Sequence, residues 1–511
     1  MNKHRLTVPL AALAALMPLP SSAQEAAYRY ADAVQLWRLT DNAAGLSLDS
    51  AANRGVAYFD FQHHEGNYRR VQEGGQRNQL EFFTERYQRI GPILTAYGSF
   101  RFDMDRTKDR AWCDVMRPYH SNPFYSGSSL PGKYDTQRFD LTAAVGTIQM
   151  WGVTAGLRLD YEVGDLSRLR DPRSRSELLD YKLTPSLTYS SGRHTAGLAG
   201  HYRRRKEKIP GMTTVQQDPN LKYYLMSGME QAEGITGGYS GFSREWVDHR
   251  FGANLSYGYS NGTVKSLSTV SIERGSENVL GQYKYEPGHY VSYQYGLTSF
   301  NRLRSDAALH HLDLSASYEQ AYADEYRQQL LQERDAEHGY TSYRYETLIE
   351  FRKRHQMRRF DISLHYRCDF TADKAVNSYL GLKAAVNHAE TKHLLPASSL
   401  KTTHADITAE GGTAILGQRL WIDAEATYRV AAKADLELAD NDTDMAREVL
   451  LPDMNYYDAN YWRGHLALTY QFPLTIKKQA TKWFVRAYGN YLKTNNSLHS
   501  TDIGAAIGIY Y

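Results

Sequence analysis

A two-residue alternation of apolar and polar side chains recurs along this sequence and runs to its last residue. Ile503, Ala505, Ile507, Ile509 and Tyr511 share one face, while Asp502, Gly504, Ala506, Gly508 and Tyr510 share the other. That is the period of a strand whose two faces meet different surroundings. Upstream, Val153, Ala155, Leu157, Leu159, Tyr161 and Val163 alternate with Thr154, Gly156, Arg158, Asp160 and Glu162. Phe360, Ile362, Leu364, Tyr366, Cys368 and Phe370 alternate with Asp361, Ser363, His365, Arg367 and Asp369. One face is nearly pure hydrocarbon and the other carries full charges, so the polar face needs water or ion pairing. A soluble β-sandwich would enclose fewer charges and use shorter strands. The expectation is an all-β fold: a closed antiparallel transmembrane β-barrel, preceded by a short N-terminal helical or plug segment.

Composition narrows the alternatives. A mean hydropathy of −0.59 denies a bundle of membrane helices, yet 40 tyrosines in 511 residues fit a barrel with aromatic girdles. The net charge of +3 is too small to imply nucleic acid. The two cysteines, Cys113 and Cys368, fall in a loop and a strand, and an oxidising compartment allows but does not indicate their pairing.

Residues 1–23 read as a signal peptide. Asn2, Lys3, His4 and Arg5 form its basic start, an apolar run follows, and Ser21-Ser22-Ala23 sets cleavage between Ala23 and Gln24. Residues 24–51 then form a periplasmic or luminal segment. Tyr30, Val34 and Trp37 suit a short helix over 27–39, with a turn at Asn42-Ala43-Ala44-Gly45-Leu46. Residues 52–511 make the barrel.

The candidate strands number about nineteen, and single-chain bacterial barrels close with an even number, so about 16–18 are expected, with 14 as the lower limit. The irregular stretch is 375–418, where the alternation of short and long connections slips. Tight turns at Ser190-Ser191-Gly192-Arg193 and Asn261-Gly262 should be periplasmic. The long connections, 107–137, 206–245 and 435–458, should be extracellular. The second of these carries Met212, Tyr223, Tyr224, Met226 and Met229, a composition suited to holding a ligand or partner. Asp440-Asn441-Asp442-Thr443-Asp444 has the flavour of a calcium loop, but Met445 and Leu451 stand where an EF-hand needs Gly and Glu. No metal site and no cofactor are expected.

Catalysis would need a nucleophile and base held together. His63, His64, His310, His311, His365 and His465 are available, but none lies in a spacing that constrains geometry. The reading is that this is not an enzyme. The charged face predicts a luminal wall of Arg158, Asp160, Arg344, Glu346, Glu350, Arg352, Asp361, Arg367, Asp423 and Glu425. Both signs are mixed, with Arg158 beside Asp160, Arg344 beside Glu346, Glu350 beside Arg352 and Asp361 near Arg367. No single-sign ring announces ion selectivity.

Three resemblances add to this. Ile503, Ile507, Ile509 and Tyr511 resemble the C-terminal assembly signal of bacterial outer-membrane barrels, which implies outer-membrane lipid and the barrel assembly machinery as partners. The 42–46 string resembles a segment near the mature N-terminus of FadL-type barrels, and no substrate site is carried over from it. The whole chain resembles an uncharacterised family of large, tyrosine-rich outer-membrane barrels, which implies Gram-negative outer-membrane residence. The function expected is a channel or transporter for a small solute, gated by the N-terminal segment and the 206–245 loop. The alternative is a non-conducting barrel that binds an envelope partner through its outer loops.

Overall fold

The computed structural model describes residues 25–49, 53–117, 122–215, 221–237, 239–334, 337–476 and 479–511. The expected signal peptide and the Ala23/Gln24 cleavage site lie outside them. Eighteen strands form the wall. They are β1 (Arg54–Gly66), β2 (Gln76–Ile90), β3 (Leu94–Arg110), β4 (Gly132–Thr147), β5 (Val153–Arg168), β6 (Arg173–Ser191), β7 (His194–Ile209), β8 (Arg244–Ser260) and β9 (Val264–Gly281). There follow β10 (Gly288–Arg304), β11 (Ala308–Arg334), β12 (Thr341–Ala372), β13 (Ala375–Leu394), β14 (Ala397–Ile415), β15 (Leu420–Glu437), β16 (Tyr461–Ile476), β17 (Gln479–Thr494) and β18 (His499–Tyr510).

Each strand pairs antiparallel with its sequence neighbours, and β1 also pairs with β18 from Val56↔Tyr510 to Gly66↔Ser500. Gly55 and Tyr511 exchange backbone hydrogen bonds of 2.6 and 3.0 Å at that seam. Closure removes the sheet edge, which lipid could not satisfy. The apolar rows face outward: Phe59, Leu198, Leu255, Leu382 and Ile503 leave more than half their surface uncovered. Asn261 shapes the β8–β9 turn by accepting the N–H groups of Thr263 at 3.1 Å and Val264 at 2.7 Å.

The slipped alternation near 375–418 has a local cause. β13 and β14 are joined by Leu395-Pro396 alone, so one connection on the long-loop end is as short as those on the other. A second departure concerns the wall. β11 pairs with β10 only as far as Glu325↔Gly288, and β13 joins β12 only from His355↔His393. Residues 326–334 and 341–354 therefore rise past the barrel as a two-stranded ribbon, leaned against 282–285 by Tyr283 on Tyr343 (4.9 Å) and Tyr285 on Tyr345 (5.1 Å). Arg344, Glu346, Glu350 and Arg352 lie on this exposed ribbon and not on a luminal wall. Alternation continued there because a ribbon in water has two faces as well.

The wall pairings also differ in detail. Arg158 meets Asp160 at 2.8 Å as the sequence suggested. Asp361 and Arg367 do not pair: Arg359 lies 2.9 Å from Asp361, and Arg367 lies 2.5 Å from Asp369. Same-face neighbours two residues apart on one strand are nearer than residues six apart.

The lipid belt and the ribbon make opposite demands on the same kind of side chain. Leu255→Arg should destabilise the barrel by about 2–4 kcal/mol, the cost of a cation on a lipid face. Leu330→Arg on the ribbon should stay within about 0.5 kcal/mol. Denaturant unfolding in lipid vesicles reads both.

Candidate functional site

The lumen is occupied at both ends by chain that is not part of the wall. At the end of the short turns, α1 (Glu25–Val34) and the turns Trp37–Leu39 and Ala43–Ser47 cross the mouth. Helix carbonyls left over at a C-terminus seek cations. Here Arg302 of β10 donates to Ala33 O at 2.8 Å and Lys265 of β9 donates to Val34 O at 3.3 Å. Across the helix, Arg29 forks onto Asp423 of β15 at 2.8 and 2.9 Å, with its guanidinium 4.3 Å from the Trp421 ring. Further along, Asp41 meets Lys182 of β6 at 2.5 Å, and Thr154 of β5 donates to Ala44 O at 2.7 Å. The approach there is close enough to require glycine opposite. A Cβ on Gly156 would sit 2.1 Å from Ala44 N. The segment is thus tied to strands on several sides of the barrel by ion pairs and hydrogen bonds, and Ala26, Leu36, Trp37, Ala43 and Leu46 also bury apolar surface against the wall.

At the other end, three inward-folded pieces form a lid. Residues 126–128, 222–228 and 231–236 make a small antiparallel sheet. The loop leading into it buries Trp112, Cys113 and Phe124, and Trp246 of β8 donates to Phe124 O at 2.6 Å. Burial pushes the Cys113 thiol up to about 11; both it and Cys368 are free thiols. The third piece is the helical turn Ala446–Leu450 with α2 (Leu451–Tyr457). Trp112 donates to Glu448 at 3.0 Å, and Tyr224 donates to Asp444 at 2.6 Å. Asp444, the end of the calcium-like string, is held below the usual carboxylate range by that Tyr224 hydrogen bond and by Arg447 and Lys222. Among the described residues no three His, Cys, Asp or Glu side chains gather to hold a metal.

The lid is attached unevenly. Against β7–β11 it packs an apolar core with Ile209, Trp246, Val279, Tyr290, Ala321 and Ala323. Against β12–β15 the contact is looser: Ser398 of β14 donates to Glu230 at 2.6 Å and His404 of β14 lies 2.9 Å from Tyr457 O, around a cavity of about 500 Å³. Met226, Met229, Met357 and Met445 line it together with His355, His388, His404, Tyr125 and Tyr457. Met212, Tyr223, Tyr224, Met226 and Met229, read from sequence as a sticky outer loop, are all buried in the lid or under it. Their apolar surface is spent on packing.

The remaining sequence candidates are spread around the wall. Glu425 continues the face of Asp423. The histidines are dispersed: His63 lies on Asn78 (2.6 Å), His64 on Asp502 (2.7 Å), His310 on Tyr366 (3.0 Å), His311 on Asp369 (2.9 Å), His365 on Glu410 (3.0 Å) and His465 on Asn490 (2.7 Å). Sequence reading missed the cavity residue His355 and its partner His393, whose proximity depends on strand register.

The sequence matches a family of unknown function, DUF6850, over residues 43–511. The chain belongs to that family. No curated protein matches it. Among solved structures this DUF6850 barrel is similar to the outer membrane transporter YddB from Escherichia coli (7% identity, 89% of this chain and 80% of that one, TM-score 0.41). It is also similar to the ferric citrate transporter FecA (7%, 90% and 78%, 0.40) and the copper transporter OprC (10%, 89% and 81%, 0.39). At these identities and scores nothing about cargo or energy source passes to the DUF6850 chain.

Two outcomes test the closures. Arg29→Ala leaves Asp423 facing the lumen without its fork and should weaken docking of 25–49 by about 3 kcal/mol, the scale of breaking a buried pair. Hydrogen exchange in that segment should rise while the barrel stays folded. In the lid, Asp453 is pushed up to about 7 by burial, although it accepts the Val71 N–H at 2.8 Å. A carboxyl raised in the folded state binds its proton more tightly there than when released. Helix docking should therefore be strongest near pH 4, weaken as pH rises to about 7 and level off above. Asp453→Asn should flatten that profile, read by hydrogen exchange over 446–457.

Proposed function

We propose that this barrel is a gated transporter of the Gram-negative outer membrane, admitting a small solute from outside into the vestibule under the lid. The short-turn end then faces the periplasm and the lid faces outward. Arrival follows cleavage between Ala23 and Gln24, and the outward row of Ile503, Ile507, Ile509 and Tyr511 is read by the barrel assembly machinery before the wall meets lipid.

The observation that supports this reading is the closure of the periplasmic mouth by residues 25–49, whose polar contacts are spaced around the wall beside small apolar ones. A wall of eighteen strands is wide enough to enclose an aqueous path, and the ion pairs and hydrogen bonds of the seal can be exchanged for water, leaving small apolar contacts such as those of Ala26, Trp37 and Leu46 to hold it. Charges that remain on the wall are mixed in sign, as at Arg158–Asp160 and Arg429–Asp406. That favours a polar solute over a lipid and gives no preference for anion or cation.

The ribbon favours a second reading. Leu330, Tyr340, Tyr343, Leu348 and Ile349 are exposed on or at the tip of a stalk that holds them clear of the membrane. Such a stalk suits a barrel that docks an envelope partner and conducts nothing.

Planar-bilayer recording separates the two. The wild type should be nearly silent, and Arg29→Ala/Arg302→Ala should open in repeated steps, because it releases α1 at its middle and at its C-terminus. A folded double variant that stays silent while exchange shows its N-terminal segment released would end the transporter reading and leave the docking one.

A further inference from the structure

The tip of the lid hairpin brings together groups that the closures do not explain. His355 of β12 and His393 of β13 stand directly opposite in register, and both are almost wholly buried. His355 Nδ1 and His393 Nε2 have no hydrogen-bond partner. Gly228, with φ +126°, lies over them. A Cβ placed there would be 3.1 Å from His355 Nδ1 and 3.2 Å from His393 Cδ2, the ring atom bonded to Nε2. His355 Nδ1 and the Cδ2 edge of His393 therefore both face Gly228, which carries no side chain to cover them.

The protonation state of one ring follows from its neighbour. His393 Nδ1 lies 3.1 Å from the carbonyl oxygen of Pro396, which can only accept. Nδ1 must then carry the hydrogen, and Nε2 presents a lone pair. A backbone carbonyl that fixes the distal nitrogen of an imidazole is a common support for a metal ligand. Glu325 approaches Nε2 only to 3.8 Å, and its charge is already met by Arg354 at 3.1 Å and Arg327 at 3.0 Å.

The rest of the cavity limits the ligand. His388 is engaged by Thr403, His404 by Tyr457 O, Arg429 by Asp406 and Arg359 by Asp361. The Arg429 and Arg359 guanidiniums are neutralised in place, so an anion has little to gain. What remains is two imidazoles and the thioethers of Met226 and Met229, either side of Gly228, with Met357 two residues from His355 on the same inward face. Methionine fills irregular gaps in many cores, but that role leaves two buried nitrogens unsatisfied.

We propose that His355 and His393, completed by these thioethers, bind a soft monovalent metal ion, Cu(I), for which Ag(I) is a redox-inert probe. Thioether sulfur with imidazole selects Cu(I). Zn(II) would want a third nitrogen, thiolate or carboxylate donor, and no such set of three is gathered among the described residues. The site rests on the proposed function only for being reachable from outside. Equilibrium binding is measured without flux, so its failure and a failure of transport are told apart.

The experiment is a titration of the purified full-length protein in detergent with Ag(I), and with Cu(I) against a chromogenic chelator, counting bound metal by mass spectrometry. One ion per chain is expected. His393→Gln and Met229→Leu should each weaken binding by about tenfold or more, with folding verified by heat-modifiable gel migration. Met229→Leu keeps the packing volume, so it reports on sulfur even if His393→Gln misfolds. Absence of stoichiometric binding, equal affinity in Met229→Leu, or Zn(II) bound as tightly as Ag(I) would each overturn the proposal.

Discussion

A strand in hydrocarbon cannot leave a backbone N–H or C=O unpaired, because no water is there to take it. The β1–β18 seam answers that demand, and most of the architecture follows. Once the sheet is closed, every residue is committed to lipid or to lumen by parity alone. The charges thereby forced inward must find one another or find water. Arg158 with Asp160 and Arg429 with Asp406 are results of that sorting, and so is the ready supply of wall cations that the N-terminal helix uses. Arg302 and Lys265 meet the carbonyls at the end of α1 because inward positions on β9 and β10 were already polar.

How much of this could be read from the sequence depends on the range of the interaction. Alternation is local, so Ile503 to Tyr511 and Val153 to Val163 disclosed strands, faces and fold class without help. Turn chemistry is local too, and Asn261-Gly262 was legible for that reason. The ribbon was not. Tyr343 to Arg352 alternates as well as any membrane strand, and only the loss of pairing partners beyond Glu325 and His355 shows that lipid has ended. The Leu395-Pro396 connection misled for the opposite reason, being a short link where a long one was due. The paired histidines were the least accessible, since His355 and His393 lie on different strands and meet by register.

The two closures differ in kind. The N-terminal segment is tied by contacts spaced around the barrel mouth, from Lys182 and Thr154 to Arg302 and Asp423, so its release requires many polar contacts, and the small apolar ones of Ala26, Trp37 and Leu46, to be given up together. The lid instead packs an apolar core on β7–β11 and meets β14 across the vestibule by hydrogen bonds, Ser398 to Glu230 and His404 to Tyr457 O. An element packed on one flank and only hydrogen-bonded on the other can give way at the second without dissolving its core, whereas an element fastened evenly all round must leave as a unit.

The brevity of the β13–β14 link shapes the rim of the molecule. One flank climbs into the β11–β12 stalk, while two strands further on the parapet drops to its lowest point, one residue above His393. The outline is that of a jug, tall at the handle and cut down at the lip. Chain length alone thus makes the rim uneven, with two residues spanning β13 to β14 and the β11–β12 ribbon standing beside them.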